Sequence, residues 1–403
     1  MDTQDPSEEL QLWELVPLDD YALPQTPAAR AAKARWVSLR RLFGGRREDV
    51  DAPAKEETDL RGLWAEQRDG LVMPIDWTDG AEALERRLTK ADAGQSVCCV
   101  VGPPRSGHTD LLECWAERWV VRCIEPPAHE DILSGGRDWL DAWPVDAHRW
   151  VLPRLEHCWL RHPAGLALVR ELLERASSGR LGRGVIGCDS WAWAYLRQVA
   201  ALPSRAPLTL QAFDGLRLAT LFRALVGPSS TRPVCFRNAV TGKAVLSIDG
   251  EQDGNGGSDL QYLAARTRGS VGLARELWRG RLRAEPHTDS DSGDAEAAKE
   301  EGPDAEGTTI WLAAPPEDPV LTSGRDDELA LVLHALLLHN GLPDQVLAEL
   351  LPLPRFRVQG VVERLTAAGA LAEMPDGRRR VSAAGYAAAR ELLRAQGFLV
   401  DDF

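Results

Sequence analysis

The sequence predicts an α/β protein: a parallel sheet with helices on both faces, a smaller helical unit after it, and a C-terminal module of three helices and a hairpin. Three observations carry this. Apolar, strand-like runs alternate with helical patterns between Val97 and Leu210. The first run, Val97 to Val101, breaks into Gly102-Pro103-Pro104-Arg105-Ser106-Gly107-His108-Thr109 and passes directly into a helical pattern. Beyond an acidic stretch, Leu329, Val332, Leu333, Leu336 and Leu337 recur at helical spacing.

The whole chain sets the bounds. With 403 residues, 44% hydrophobic and 27% charged, it is long enough for two or three buried cores. A net charge of −14 argues against general coating of nucleic acid, so any DNA contact must be local. The seven cysteines show no C-x-x-C or metal spacing, which predicts buried thiols in a reducing cytosol and no disulfide framework. No apolar run approaches the roughly 20 residues that span a bilayer, and the start has no signal-like apolar region. A cytoplasmic location with no integral membrane segment is the expectation.

Residues 1–75 read as an N-terminal helical segment. Arg30, Lys33, Arg35, Arg40, Arg41, Arg46 and Arg47 surround Trp36, Leu39, Leu42 and Phe43. The charged face is either solvated or a contact for an anionic surface or acidic partner. A short helix is expected to carry Leu60, Leu63 and Trp64, and Asp79 to cap a helix from Gly80 to Thr89. Trp77 reads as a core side chain or as an aromatic that stacks on a base.

Residues 76–213 hold the sheet. The pattern G-x-x-x-x-G-K-[ST] is met at Gly102, Gly107 and Thr109, with His108 where the lysine belongs. Glycines let backbone N–H groups close around a phosphate, and the following helix adds free N–H groups and a positive dipole end. Histidine, with an ordinary pKa of about 6.5, does not supply lysine's permanent charge, so hydrolysis should suffer more than binding. The alternative is a plain Pro/Gly turn between strand and helix. Downstream, Leu111, Leu112, Trp115, Ala116 and Trp119 mark a helix, Val120 to Ile124 a second strand, and Glu125 to Arg149 a surface excursion. Arg149 to Cys158 is a strand-like run in which Glu156 is the nearest acidic candidate, either a surface glutamate or a catalytic one. After a helix across Arg161 to Arg175, Gly184 to Cys188 is a buried strand ending at Asp189-Ser190, a polar tip or a helix N-cap ahead of the helix Trp191 to Leu196. Leu208 to Leu210 is the last core strand.

Residues 214–284 read as a small helical lid with an inserted hairpin. Asp214 to Leu225 is its first helix, Pro233 to Ile248 a hairpin turning at Thr241-Gly242, and Asp259 to Arg283 two helices split at Gly269-Ser270. Residues 285–325 are an acidic linker that cannot bury enough apolar surface to order itself, with Thr308 to Ala313 docking as a strand. Residues 326–403 form the last module: three helices, a hairpin turning at Pro375-Asp376-Gly377, and a final helix from Ala383 to Gln396.

Loop, acidic-strand region, polar strand tip and trailing helices, in that order from Trp77 to Arg283, resemble the AAA+/STAND branch of P-loop NTPases. Three helices and a wing resemble the winged-helix fold. The resemblance implies a P-loop sheet with a lid, binding ATP or ADP with Mg²⁺. It gives Gly102 to Thr109 to the phosphates, Thr109 to Mg²⁺ and Glu156 to the attacking water. It makes Asp189 or Ser190 a phosphate sensor and leaves Arg275 as substitute for a sensor arginine, because the aligned position is Gly272. In the last module it places Arg355, Arg357, Gln359 and Arg364 on the recognition helix and Arg378, Arg379 and Arg380 on the wing, for DNA or for a protein partner. Eleven acidic residues against eight arginines in that module favour protein. Self-association stays open. The function implied is a nucleotide-binding switch or adaptor with weak or absent ATPase activity; the alternatives are a nucleotide-free pseudo-ATPase scaffold and a DNA-binding regulator. The ending GFLVDDF is a partner-binding tail or packs on its own module.

Overall fold

The computed structural model describes residues 11–24, 54–90, 97–144, 148–203, 206–226, 234–247, 258–286, 308–321 and 327–403. The basic stretch Arg30 to Arg47 and most of the acidic linker lie outside them. Within them the strands are β1 (Leu15–Pro17), β2 (Arg61–Gly62), β3 (Val97–Gly102), β4 (Arg122–Cys123), β5 (Trp150–Leu152), β6 (Gly184–Asp189) and β7 (Leu208–Leu210). They continue with β8 (Val234–Asn238), β9 (Ala244–Ser247), β10 (Leu282–Ala284), β11 (Thr308–Leu312), β12 (Leu371–Glu373) and β13 (Arg379–Val381).

The main sheet has the order β1-β7-β3-β6-β5-β4. Strands β3 to β7 are mutually parallel, whereas β1 runs antiparallel to β7, pairing Leu15 with Leu210. The sheet is therefore mixed, and residues 1–75 are not simply a helical segment. A three-residue strand ending in Pro17 carries too little alternation to announce itself in sequence. What fixes it is Trp13, buried against Trp77 and Phe213 with ring centroids 4.7 and 5.4 Å away.

Connection directions decide where a ligand belongs. From β3 the chain leaves through the helix His108–Arg118 toward the β4 edge, and from β6 through the helix Ser190–Val199 toward the β1 edge. Right-handed crossovers then place these two helices on opposite faces. The tips of the neighbouring strands β3 and β6, where Gly102 pairs with Asp189, are thus the topological switch point, the crevice in which open α/β sheets bind ligands.

The second unit departs from a helical lid. Its five strands run β2-β10-β11-β8-β9, with β11 parallel to β8 from Thr308 opposite Val234 to Leu312 opposite Asn238. The expected hairpin is β8–β9, and the docking strand is β11, so the unit reaches past residue 284 and recruits β2 from the N-terminal side. Residues Leu60, Leu63 and Trp64, expected on a helix, flank β2, and the helix starts at Ala65. Helices Gly215–Leu225, Ser258–Arg266 and Val271–Arg281 cover this sheet, with Trp278 packed on Phe222 and Phe236. The helix ahead of β3 spans Thr78–Lys90, and Asp76, not Asp79, receives its first N–H, from Thr78 at 2.9 Å.

The C-terminal module holds helices Glu328–Leu338, Asp344–Leu350 and Arg355–Ala367, the β12–β13 hairpin and the helix Tyr386–Ala395. Its first helix is buried from Leu329 to Leu338 except at Leu331. A helix apolar all round needs cover all round. The module supplies one side and the core helix Ser190–Val199 supplies the other, with Trp191 facing His334 at 6.2 Å between rings.

Candidate functional site at the carboxyl edge of the main sheet

Gly102 ends β3 and the chain turns tightly: the Ser106 N–H donates to Pro103 O at 2.9 Å, and Arg105 and Gly107 both have positive φ, 62° and 81°. The helix His108–Arg118 then begins at Gly107 with no side-chain cap. Its first-turn N–H groups have no carbonyl partner within the helix, the arrangement that suits an anion. Thr109 is half-buried in that turn.

The cradle is filled from within. Ser106 Oγ and His108 Nδ1 lie 2.9 Å apart, and together they occupy the space above Gly102, where an added Cβ would overlap Ser106 and stand 2.8 Å from the imidazole. His108 is 3% exposed, and its buried Nε2 has no partner among the described residues. Burial, helped by the positive charge of Arg154, pushes its pKa down to about 4, so the ring is neutral at pH 7. Trp77 packs its ring on Gly107, which makes it a core side chain.

Beside the loop sit two fully buried carboxyls. Glu156 lies in the turn Leu155–His157 just past β5, and Asp189 ends β6. Asp189 N–H donates to Glu156 Oε2 at 3.1 Å, and Asp189 Oδ1 caps the next helix by accepting from Trp191 N–H at 3.0 Å. The N-cap reading of Asp189 is therefore the one seen. Glu156 Oε1 and Asp189 Oδ2 have no partner among the described residues. Burial raises both, and repulsion from Glu156 adds to the rise at Asp189: Glu156 goes to about 7 and Asp189 well above the carboxylate range, so the pair retains a proton at neutral pH.

The other candidates fall elsewhere. Arg275 donates to the carbonyls of Val72 and Met73 at 2.9 to 3.2 Å, holding the N-terminal side of the second unit. The aligned Gly272 braces the loop through its backbone, where its N–H donates to Arg105 O at 3.0 Å and an added Cβ would overlap that oxygen. Ser190 donates to Asp401 in the tail. On the C-terminal hairpin, Arg378 donates to His157 Nε2 at 2.8 Å and pairs with Asp376, Arg379 pairs with Glu373 and Asp344, and Arg380 lines a small void beside Arg105. All three are half-buried. Arg355 and Arg364 stay on an exposed helix face with Phe356, and Arg357 is engaged by Glu328.

What sequence reasoning missed is that the C-terminal module sits on the loop. Arg105 Nη1 pairs with Glu276, its Nη2 donates to Val381 O at 2.8 Å, and Ser270 Oγ donates to Pro104 O at 3.2 Å. His339 bridges the units: its Nδ1–H donates to Glu156 O at 3.2 Å and its Nε2 accepts from the Arg161 N–H at 3.3 Å. His334 does the same between Arg161 and Leu399 O. The sequence signal was the uniformly apolar ELALVLHALLL, which requires a second covering surface.

The uncapped helix start and the Thr109 hydroxyl are donor types that suit a phosphate and Mg²⁺, whereas Glu156 and Asp189, which together keep a proton, are poor Mg²⁺ donors. The space does not fit in this arrangement. The void beside Pro104 and Arg105 is about 10 Å³, room for one water, and the larger cleft, about 160 Å³ between His129, Trp159, His339 and Arg378, is below the roughly 300 Å³ of small-molecule sites. Among the described residues no group of three or more His, Cys, Asp or Glu side chains is placed to hold a metal, and no helix is long and apolar enough to cross a membrane. No family model matches the chain, and no curated protein matches it in sequence.

Proposed function

We propose that this protein is a nucleotide-responsive switch of P-loop, AAA+/STAND type, with weak or absent hydrolysis, seen with its C-terminal winged-helix-like module closed over the loop. One observation carries the reading. Arg105, at the tip of a glycine loop on the switch point of the sheet, is bound at once by Glu276 of the second unit and Val381 of the C-terminal hairpin. Anything that reshapes the loop must disturb both units, and anything that lifts the module must free the loop. The neutral His108 brings no permanent positive charge to a phosphate, which suits a site that turns over little.

A second reading, a nucleotide-free scaffold, is favoured by the filled cradle above Gly102. Calorimetry with ATP and ADP in Mg²⁺ separates the two. Wild type is expected to bind weakly, because opening the module costs part of the binding energy. Thr109→Ala should lose that binding, and His108→Lys should bind more tightly and gain measurable hydrolysis. No heat from any of the three, all folded, would reject the switch and leave the scaffold.

A further inference from the structure

Residues 399–403 belong to no helix or strand, yet they touch the C-terminal module, the core, the second unit and the N-terminal side. From the C-terminal module, His334 Nε2 donates to Leu399 O at 3.1 Å, and Arg390 both pairs with the Asp401 carboxylate and donates to Asp401 O at 2.8 Å. From the core, Ser190 Oγ donates to Asp401 Oδ2 at the start of the helix Ser190–Val199, and Arg197 pairs with Asp402 at 3.1 Å. From the second unit, Arg268 Nε donates to Phe403 O at 2.6 Å. From the N-terminal side, the Tyr21 ring lies 4.6 Å from that of Phe403, and the Tyr21 hydroxyl donates to Arg268 O at 3.2 Å.

The residues alternate in depth. Asp401 and Phe403 are 3% and 4% exposed, while Leu399 and Asp402 face water. The groove is lined by directional donors, Ser190, Arg268 and Arg390, with one aromatic wall, Tyr21. This is chemistry that reads a peptide, not general apolar packing. Because the segment contributes no backbone pairing to a helix or sheet, it can leave without breaking either.

We propose that residues 399–403 are an exchangeable latch, and that the groove made by Tyr21, Ser190, Arg268 and Arg390 is a peptide site for an acidic-aromatic segment of the form Asp-Asp-Phe. The chain's own segment fills the groove and holds the C-terminal module on the core. A partner presenting the same chemistry takes its place and releases the module. What that release does for nucleotide rests on the switch reading above; the groove itself does not.

The test compares the full chain with a chain ending at Phe398, using a fluorescein-labelled peptide of residues 398–403. The shortened chain is expected to bind the peptide at least tenfold more tightly than the full chain, and to bind a peptide carrying Asp401→Asn at least tenfold more weakly. Amide hydrogen exchange of the helix Glu328–Leu338 should speed at least tenfold in the shortened chain and slow again when peptide is added. A shortened chain that keeps its circular dichroism and binds no peptide would overturn the proposal. If shortening prevents folding, full-length Asp401→Asn and Phe403→Ala take its place: faster exchange with captured peptide supports the latch, and unchanged exchange with no capture rejects it. ATP titration of the same proteins keeps the two ideas apart. Peptide capture without any gain in ATP binding leaves the latch standing and removes the nucleotide switch.

Discussion

Gly107→Ala should lower stability by about 3 kcal/mol, the largest effect expected of a single added methyl in the loop. Two costs combine. At φ 81° an L-residue loses roughly 1–2 kcal/mol relative to glycine. The new Cβ would also overlap the Trp77 ring, and Trp77 has little room to retreat because Trp13 packs on it and Phe213 in turn packs on Trp13; forced overpacking of this kind costs roughly 1–3 kcal/mol. Gly135→Ala isolates the first cost, since φ there is 97° and nothing lies within 4 Å of the added carbon. Urea midpoints of the two variants measure the difference. Equal losses would show that the loop yields to Trp77 freely and that the tight turn is not held in place.

The second large effect is on pH. His108, His157, His334 and His339 are held neutral by burial, with pKa values pushed down to about 4, about 3, about 4 and about 4. In three of them a ring nitrogen already accepts a hydrogen bond, from Arg378 or from Arg161, so protonation must break a contact. A histidine whose folded pKa is depressed supports the fold above its unfolded value near 6.5, and that support is lost as pH falls from there toward 4. Glu156 and Asp189 act in the opposite sense: raised carboxyls favour the fold when protonated and withdraw that support as pH rises toward 7 and beyond. Four histidines against two carboxyls leave a net uptake of about two protons on unfolding between pH 6 and 5, or on the order of 3 kcal/mol per pH unit. Stability should peak near neutrality and fall steeply below pH 6. Unfolding midpoints at pH 5, 6, 7 and 8 check the slope, and His339→Gln, which removes one of those protons, should flatten it by about half. A flat profile from 7 to 5 would mean these rings are not held neutral.

Local signals in the sequence were enough for the elements that form from their own residues. The run Val97 to Val101, the polar tip at Asp189, the hairpin turning at Thr241-Gly242, the helix break at Gly269-Ser270 and the three helices with a hairpin all stand where periodicity and turn chemistry put them. Glycine placement also foretold the loop geometry around Gly107. Pieces that exist only through distant partners were not legible. Strands β1 and β2 are three and two residues long and are strands because Leu210 and Arg283 lie opposite them. The site suffered in the same way. Arg105, Glu156 and Asp189 were named individually, but nothing local says that Arg105 reaches Val381 or that His339 sits on Glu156, contacts 276 and 183 residues apart.

The helix Glu328–Leu338 has no bare side to spare, and that sets a condition on any opened form. Lifting the C-terminal module would turn a row of leucines toward water, and burial of such surface is worth about 25 cal/mol for every Å². An opened monomer is thus a sticky species, whose lifetime depends on how soon something covers that row. The population of opened molecules becomes a matter of mass action: dilution drives the module back onto its own core, and crowding with like molecules or a partner draws it out. The protein would then report concentration as well as ligand.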